Sequence, residues 1–209
     1  MSLTRIDHIV FAVCDLDAAA RGLWTNFGLE AQPGGQHAGA GTSNLLVPVG
    51  NDQFIELLTV SDPASRHPIV PWLSKHLAQG DRLLQVAVDA GAIDTVAARL
   101  REPIGEVDRV SGDGRRVHFR LTGIAGGFGP EILPFFVECT AGQDWRCGFR
   151  RPRHRVAARG VVWVELGSDE ARARAQVSDE SFPLRFARGR PGVLAIGLDL
   201  DGKEVELRI

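Results

Sequence analysis

The stretch Arg5 to Asp17, RIDHIVFAVCDLD, runs an apolar strand pattern with one imidazole straight into an acidic, alanine-rich helix start. Residues 5 to 13 alternate and are rich in branched side chains, as a strand should be. Asp15 and Asp17 offer N-caps and place carboxylates at the positive end of the helix, Ala18 to Phe27 supplies helix formers, and Gly28 ends it. The same register returns 77 positions later: Arg5 falls on Arg82, His8 on Gln85, Ile9 on Val86, Phe11 on Val88, Leu16 on Ile93, Asp17 on Asp94, Ala20 on Ala97, Leu23 on Leu100 and Gly28 on Gly105. An offset that holds from strand through helix to the closing glycine marks two copies of one unit, with His8 and Gln85 equivalent.

Outward from that stretch, Pro33-Gly34-Gly35 reads as a turn, and Gly41–Val49 and Asp52–Val60 read as strands parted by Gly50-Asn51. The unit is βαβββ, or βαββ with a broken strand near residues 36–39. Residues 61–81, with three prolines and an amphipathic piece around Trp72 to Leu77, form a connector. Leu83–Val88, Ile93–Leu100, Gly105, Arg115–Leu121 and Pro134–Cys139 then repeat the unit. Between its last two strands, TGIAGGFGPEI predicts a mobile loop over one end of the sheet. FIEL matches FVEC at an offset of 82, which sets Glu56 against Glu138.

A weaker third copy follows residue 151: strand Gly160–Leu166, helix Ser168–Gln176, then Pro183–Arg188, Gly192–Leu198 and Glu204–Ile209. Val161 stands where His8 would, and Glu206 falls opposite Glu56. Its apolar face needs a cover, either a homodimer partner or an intramolecular third layer. The expected organisation is therefore α+β: residues 1–60 and 82–150 as paired βαβββ modules, 61–81 as connector, and 151–209 as an additional module.

A chain of 209 residues, 44% hydrophobic, can bury a proper core. A formal net charge of −2 argues against a nucleic-acid partner. The locally basic run Arg146–Arg159 reads as a solvated linker. Three cysteines, Cys14, Cys139 and Cys147, have no paired spacing and imply neither a disulfide framework nor a thiolate zinc site. With no leader pattern and no run of eighteen apolar residues, a cytoplasmic protein without a membrane partner is expected. No GxSxG, GxxxxGK[ST] or HExxH occurs, and GAGT at Gly39 to Thr42 does not open a helix, so hydrolase, P-loop, zincin and dinucleotide readings lack support.

Two such modules sharing a core place equivalent residues about a pseudo-twofold axis, so His8, Glu56, Gln85 and Glu138 are expected to converge on one cleft. Unpaired carboxylates inside apolar strands would be costly. This nitrogen and oxygen donor set suits a divalent metal ion such as zinc, nickel, manganese or iron, with positions left open for a small-molecule ligand.

The ordered set IDHIVFAV-x-DLDAA, GGQHAGAGTSNLL, FIELL and PFFVEC resembles the glyoxalase-like branch of the vicinal oxygen chelate superfamily over roughly residues 5–140. The resemblance implies paired βαβββ modules in a curved half-barrel sheet, with the metal on the first and last strands of each module. It also implies lyase or isomerase chemistry on adjacent oxygens, with Glu138 or Glu56 as catalytic base. It points to His37 as a substrate contact. Asn44 and His118 are further substrate-binding candidates, and Arg82, Arg116 and Arg120 could anchor a glutathione-like group. His67 and His76, in the connector, are expected to be solvent-exposed. Gln85 stands where extradiol dioxygenases hold a second histidine, which disfavours that chemistry. A non-catalytic, ligand-sequestering protein of the same fold is the alternative.

Overall fold

A computed structural model describes residues 4–110, 114, 116–124, 131–139 and 152–209. The first unit comprises β1 (Arg5–Ala12), α1 (Leu16–Phe27), β2 (Gln32–His37), β3 (Thr42–Gly50) and β4 (Gln53–Val60), and α2 (Ile69–Leu77) follows it. The second comprises β5 (Arg82–Asp89), α3 (Ile93–Leu100), β6 (Gly105–Val110), β7 (Arg116–Thr122) and β8 (Phe135–Cys139). Then come β9 (Ala158–Leu166), α4 (Glu170–Val177), β10 (Leu184–Phe186), β11 (Val193–Leu200) and β12 (Lys203–Arg208). Most of the glycine-rich loop expected over the sheet, Cys147 and the first half of the basic run lie outside the described residues.

Local chemistry sets the helix ends. Asp15 caps α1 by accepting from the Ala18 N–H at 2.9 Å, and Gly28 closes it at φ 69°, in the left-handed region that glycine adopts without strain. The start of α3 has no side-chain cap from its own Ala92. Instead Glu138, reaching over from β8, accepts from the Ile93 N–H at 3.2 Å.

Eight strands close into a barrel in the order β1-β4-β3-β2-β6-β7-β8-β5. Each unit contributes four consecutive strands, and the two halves join through antiparallel β1–β5 and β2–β6 pairs. Ile9 pairs with Val86, the residue 77 positions on, so the pseudo-twofold axis runs between them. The curved sheet of paired modules is thus present, and its ends meet.

Two strands depart from the expected pattern. Pro33-Gly34-Gly35 is not a turn but the body of β2, which bulges against β3 there. The segment from Gly105, of which only the glycine following the helix was assigned, is strand β6.

The C-terminal elements keep the βαβββ sequence order but pair as β10-β9-β11-β12. In the first two units the first strand lies beside the last, whereas here β12 is an edge strand. Glu206 is therefore an exposed edge residue and no counterpart of Glu56. This sheet lies on the barrel's outer wall: Val161, Val164, Ile196, Leu198 and Leu207 share one core with Ile9, Val47, Ile55 and Val86. The barrel and the C-terminal sheet cover each other's apolar faces as an intramolecular layer. Polar ties fix it, because the Gln176 amide donates to the carbonyls of Gly123 and Pro134, and Gln53 accepts from the Val161 N–H.

Gly192, at the start of β11's approach, has φ 104°, and a Cβ there would stand 2.5 Å from the Leu84 carbonyl oxygen. Gly192→Ala should therefore lower the unfolding free energy by more than about 1 kcal/mol, read from urea titration with an unchanged slope.

Candidate functional site

The barrel interior holds a cavity of about 130 Å³. Strand alternation decides what faces it. From the first unit come His8 on β1, His37 on β2, Thr42 and Asn44 on β3 and Glu56 on β4; from the second come Gln85 on β5 and Arg109 on β6. Trp72, Phe119, Phe135 and Val137 are among its apolar walls.

Glu56 stands at the centre of a hydrogen-bonded cluster. It is buried, 9% exposed, and its Oε1 accepts from the Asn44 amide at 2.6 Å. Its Oε2 faces His8 Nε2 at 3.6 Å, beyond hydrogen-bond reach, so a ligand atom between them can touch both. Asp7, on the same strand, pairs with His8 Nδ1 at 2.7 Å. A carboxylate behind an imidazole fixes its tautomer and turns the lone pair of Nε2 toward the cavity. The Phe54 ring stacks on His8 with centroids 4.6 Å apart. On the other side, His37 Nδ1 pairs with the Thr42 hydroxyl at 2.8 Å and its Nε2 lies 3.7 Å from Glu56 Oε1.

This cluster depends on a glycine in β2. A Cβ on Gly34 would fall 2.0 Å from Asn44 Oδ1, so only glycine lets Asn44 lie over β2 and hold Glu56.

Of the four expected metal ligands, His8, Glu56 and Gln85 face the cavity and Glu138 does not. Glu138 points outward, to the Ile93 N–H and to Arg120 at 3.0 Å. Val10 pairs with Glu56, and its equivalent Ala87 pairs with Phe135, so Phe135 takes the place of Glu56 in the second unit. The match of FIEL to FVEC was displaced by three residues, and an odd displacement turns a strand residue to the opposite face. Gln85 spends its amide nitrogen on the Leu133 carbonyl at 2.9 Å. Among the described residues, no group of three or more His, Cys, Asp or Glu is placed to hold a metal ion. The four-donor centre does not fit this chain.

His118 also faces outward, where its Nδ1 pairs with Asp108 at 2.8 Å, so it is no cavity residue. Arg116 binds Asp108 and Arg120 binds Asp94 on the outer surface. Arg82 is buried, but under the C-terminal layer, with Nη2 donating to the Pro191 carbonyl; burial, and then Arg190, lower its pKa to about 10. None of the three arginines reaches the cavity.

The arginine that does is Arg109, 6% exposed, its guanidinium 5.6 Å from the Phe119 ring centre. The sequence reading missed it together with its strand. The available signal was GEVDRV itself, where acidic Glu106 and Asp108 alternate with Val107 and Arg109. His67 and Trp72 of the connector also line the cavity, and His76 is half-buried against Trp72, so neither connector histidine is simply solvent-exposed.

Burial pushes the His37 imidazole below its ordinary pKa; Glu56 opposes this, and the charges of Arg109 and His8 add to it. His76 is lowered likewise by burial, Arg82 and Lys75. A folded pKa below the unfolded one favours the unfolded chain once protons bind, so stability is full above about pH 6.5 and falls as pH drops below it. His37→Asn should flatten that decline, leaving the share due to His76, in urea titrations between pH 7 and pH 5.

The sequence profile of the family described as glyoxalase-like domain matches residues 6–181. No curated protein matches the chain. Among solved structures, a hypothetical protein from Staphylococcus aureus superposes with TM-score 0.70 at 14% identity, covering 91% of this chain and 88% of its own. A Streptomyces coelicolor methylmalonyl-CoA epimerase in complex with 2-nitronate-propionyl-CoA gives TM-score 0.48 at 23% identity, over 67% of this chain and 97% of that one. The Mycobacterium tuberculosis methylmalonyl-CoA epimerase gives 0.46 at 24%, over 64% and 86%. Among the described residues, no helix is long and apolar enough to cross a membrane. With a family profile spanning both modules and much of the third layer, the chain belongs to the glyoxalase-like domain family, within the vicinal oxygen chelate superfamily.

Proposed function

We propose that the protein is a lyase or isomerase that moves a proton on a small substrate bearing adjacent oxygens, with Glu56 as the base. One observation carries this reading: Glu56 is a buried carboxylate with one oxygen held by Asn44 and the other turned to the cavity beside His8. Because Asn44 engages Oε1, Oε2 is the oxygen left to accept a carbon-bound proton. His8, with Nδ1 held by Asp7, offers Nε2 to the hydroxyl on that same carbon, which lies next to the carbonyl. It can take that proton and return it to the adjacent carbonyl oxygen while Asp7 stabilises the imidazolium. Glu56 then returns its proton to the carbon that had carried the carbonyl, and the exchange of hydroxyl and carbonyl is complete. Phe54 and Phe135 exclude water from the His8 ring.

The expectation of zinc, nickel, manganese or iron was built on His8, Glu56, Gln85 and Glu138 together, and Glu138 faces away from the cavity. With Phe135 in the matching place, no step here is routed through a metal.

The second reading, a protein that only binds or sequesters a ligand, is favoured by the apolar wall of Trp72, Phe119 and Phe135 and by the loss of a carboxylate from the second unit. The two separate in one experiment. Small α-hydroxyketones, 2-oxoaldehyde adducts and hydroxy acids are incubated with enzyme in D2O, and loss of the carbon-bound proton signal is followed by NMR. Catalysis predicts exchange that Glu56→Gln slows by about 10²- to 10⁴-fold, that Asp7→Asn slows by about tenfold or more, and that Glu138→Gln leaves unchanged. Binding without exchange would establish the sequestering reading instead.

A further inference from the structure

We infer that His37 is a further catalytic residue: a neutral imidazole that donates its Nε2–H, together with the Asn44 amide, to the substrate oxygen on which negative charge gathers. This deepens the proposed function by supplying an electrophile for its carbonyl oxygen, and it rests on that reading for the chemical step.

The two imidazoles beside Glu56 are oriented by partners of opposite kind. His8 Nδ1 meets the Asp7 carboxylate at 2.7 Å. A carboxylate only accepts, so the His8 proton is on Nδ1 and the lone pair is on Nε2. His37 Nδ1 instead meets the Thr42 hydroxyl at 2.8 Å. Thr42 is buried, 1% exposed, and among the described residues Nδ1 is the one partner of its hydroxyl. A buried hydroxyl that withholds its proton from its one acceptor forfeits a hydrogen bond, so Oγ1 donates and Nδ1 accepts. Burial keeps this ring below its ordinary pKa, so it carries a single proton, and that proton is on Nε2. Glu56 favours the same tautomer: its Oε1 lies 3.7 Å from Nε2, where a lone pair would face a carboxylate oxygen.

Asn44 supplies the second donor. Its Nδ2 gives one proton to Glu56 Oε1 at 2.6 Å and lies 3.4 Å from His37 Nε2. Turning the amide round would set its oxygen against that carboxylate, so the nitrogen holds this place while Oδ1 lies over Gly34 without a hydrogen bond. Two N–H groups 3.4 Å apart cannot satisfy each other. Both can donate to one oxygen placed between them, which is the arrangement of an oxyanion hole. His8 and His37 flank opposite oxygens of Glu56, at 3.6 and 3.7 Å, so when His8 engages the substrate hydroxyl the adjacent carbonyl falls to His37. His37 keeps its proton throughout: it stabilises the enediolate, and the proton that ends on that oxygen comes from His8. Neutral imidazoles serve as carbonyl electrophiles of this kind.

The test reads the ring and the oxygen separately. In protein carrying nitrogen-labelled histidine, NMR at neutral pH should show His37 protonated on Nε2 and not on Nδ1. Thr42→Val should move it toward the other tautomer, and Thr42→Ser should not. Hydroxyacetone, isotope-labelled at its carbonyl carbon, is then bound to the full chain, and its carbonyl stretch should fall below its frequency in water. His37→Leu should return the stretch toward that value and slow proton exchange in D2O by about 10²- to 10³-fold, the worth of one oxyanion donor. His37→Gln, which keeps an N–H, should recover part of both. A His37 proton on Nδ1, an imidazolium, a carbonyl stretch unmoved in wild type, or failure of hydroxyacetone to bind each overturns the inference, and none of these needs a variant to fold. Wild-type protein that shifts the carbonyl yet exchanges no proton keeps the oxygen site and sinks the catalysis beneath it; exchange without a shift does the reverse.

Discussion

The antiparallel contact between β1 and β5, centred on Ile9 and Val86, is the join on which the rest of this molecule depends. Both side chains are fully buried and point outward from the barrel into the core shared with the C-terminal sheet. Their neighbours must then point inward, which is how His8 and Gln85 come to face one chamber from two halves of the chain. Slipping this pair by one residue would exchange wall and interior along both strands. The outer layer holds the register from one side, and Val10, Ala87 and their partners hold it from the other.

Around that join, the two halves have diverged in character. The first contributes the polar cluster of His8, His37, Thr42, Asn44 and Glu56, each oriented by a named partner. The second contributes Phe119, Phe135 and Val137, with Arg109 as its single charge among the described residues. Burial of so many polar groups is sustained by pairs within the cluster, Asp7 with His8, Thr42 with His37 and the Asn44 amide nitrogen with Glu56, while Asn44 Oδ1 is left without a hydrogen bond. Removing one member leaves the next without its orientation, so the cluster behaves as a unit.

Much of this was legible in the sequence, and the limits have physical causes. The doubled unit was readable because an offset of 77 preserves both strand alternation and helix ends, and His8 and Gln85 could be named from it, Glu56 from the apolar strand FIELL, His37 from the family resemblance and Asn44 as a polar residue opening a strand. What failed was parity. FVEC looks like FIEL, yet the strand pairing aligns Glu56 with Phe135, and no local feature of PFFVEC reveals which face its glutamate takes. His118 failed for the same reason. β6 was hidden because an inward arginine breaks the usual pattern of apolar inside and charged outside. β2 was hidden because Pro33-Gly34-Gly35 has turn composition, while Gly34 is needed for the close approach of Asn44. The third layer shares the order of elements with the modules but not their pairing, and element order alone does not determine which strands become neighbours.

The placement of Phe135 where symmetry would put a second glutamate has an evolutionary consequence. A duplicated scaffold begins with two equivalent half-sites, and only one is needed for proton transfer. On the proposed function the first half keeps the acid–base groups, which releases the second from that duty and leaves its inward positions free to vary with the shape and charge of what is bound. Substitutions at Val107, Arg109, Phe119, Leu121 and Phe135 lie on strands β6, β7 and β8, whereas Asp7, Asn44 and Glu56 lie on β1, β3 and β4. On that proposal, one chemistry can be redirected to new molecules by drift in one half of the barrel while the other stays fixed.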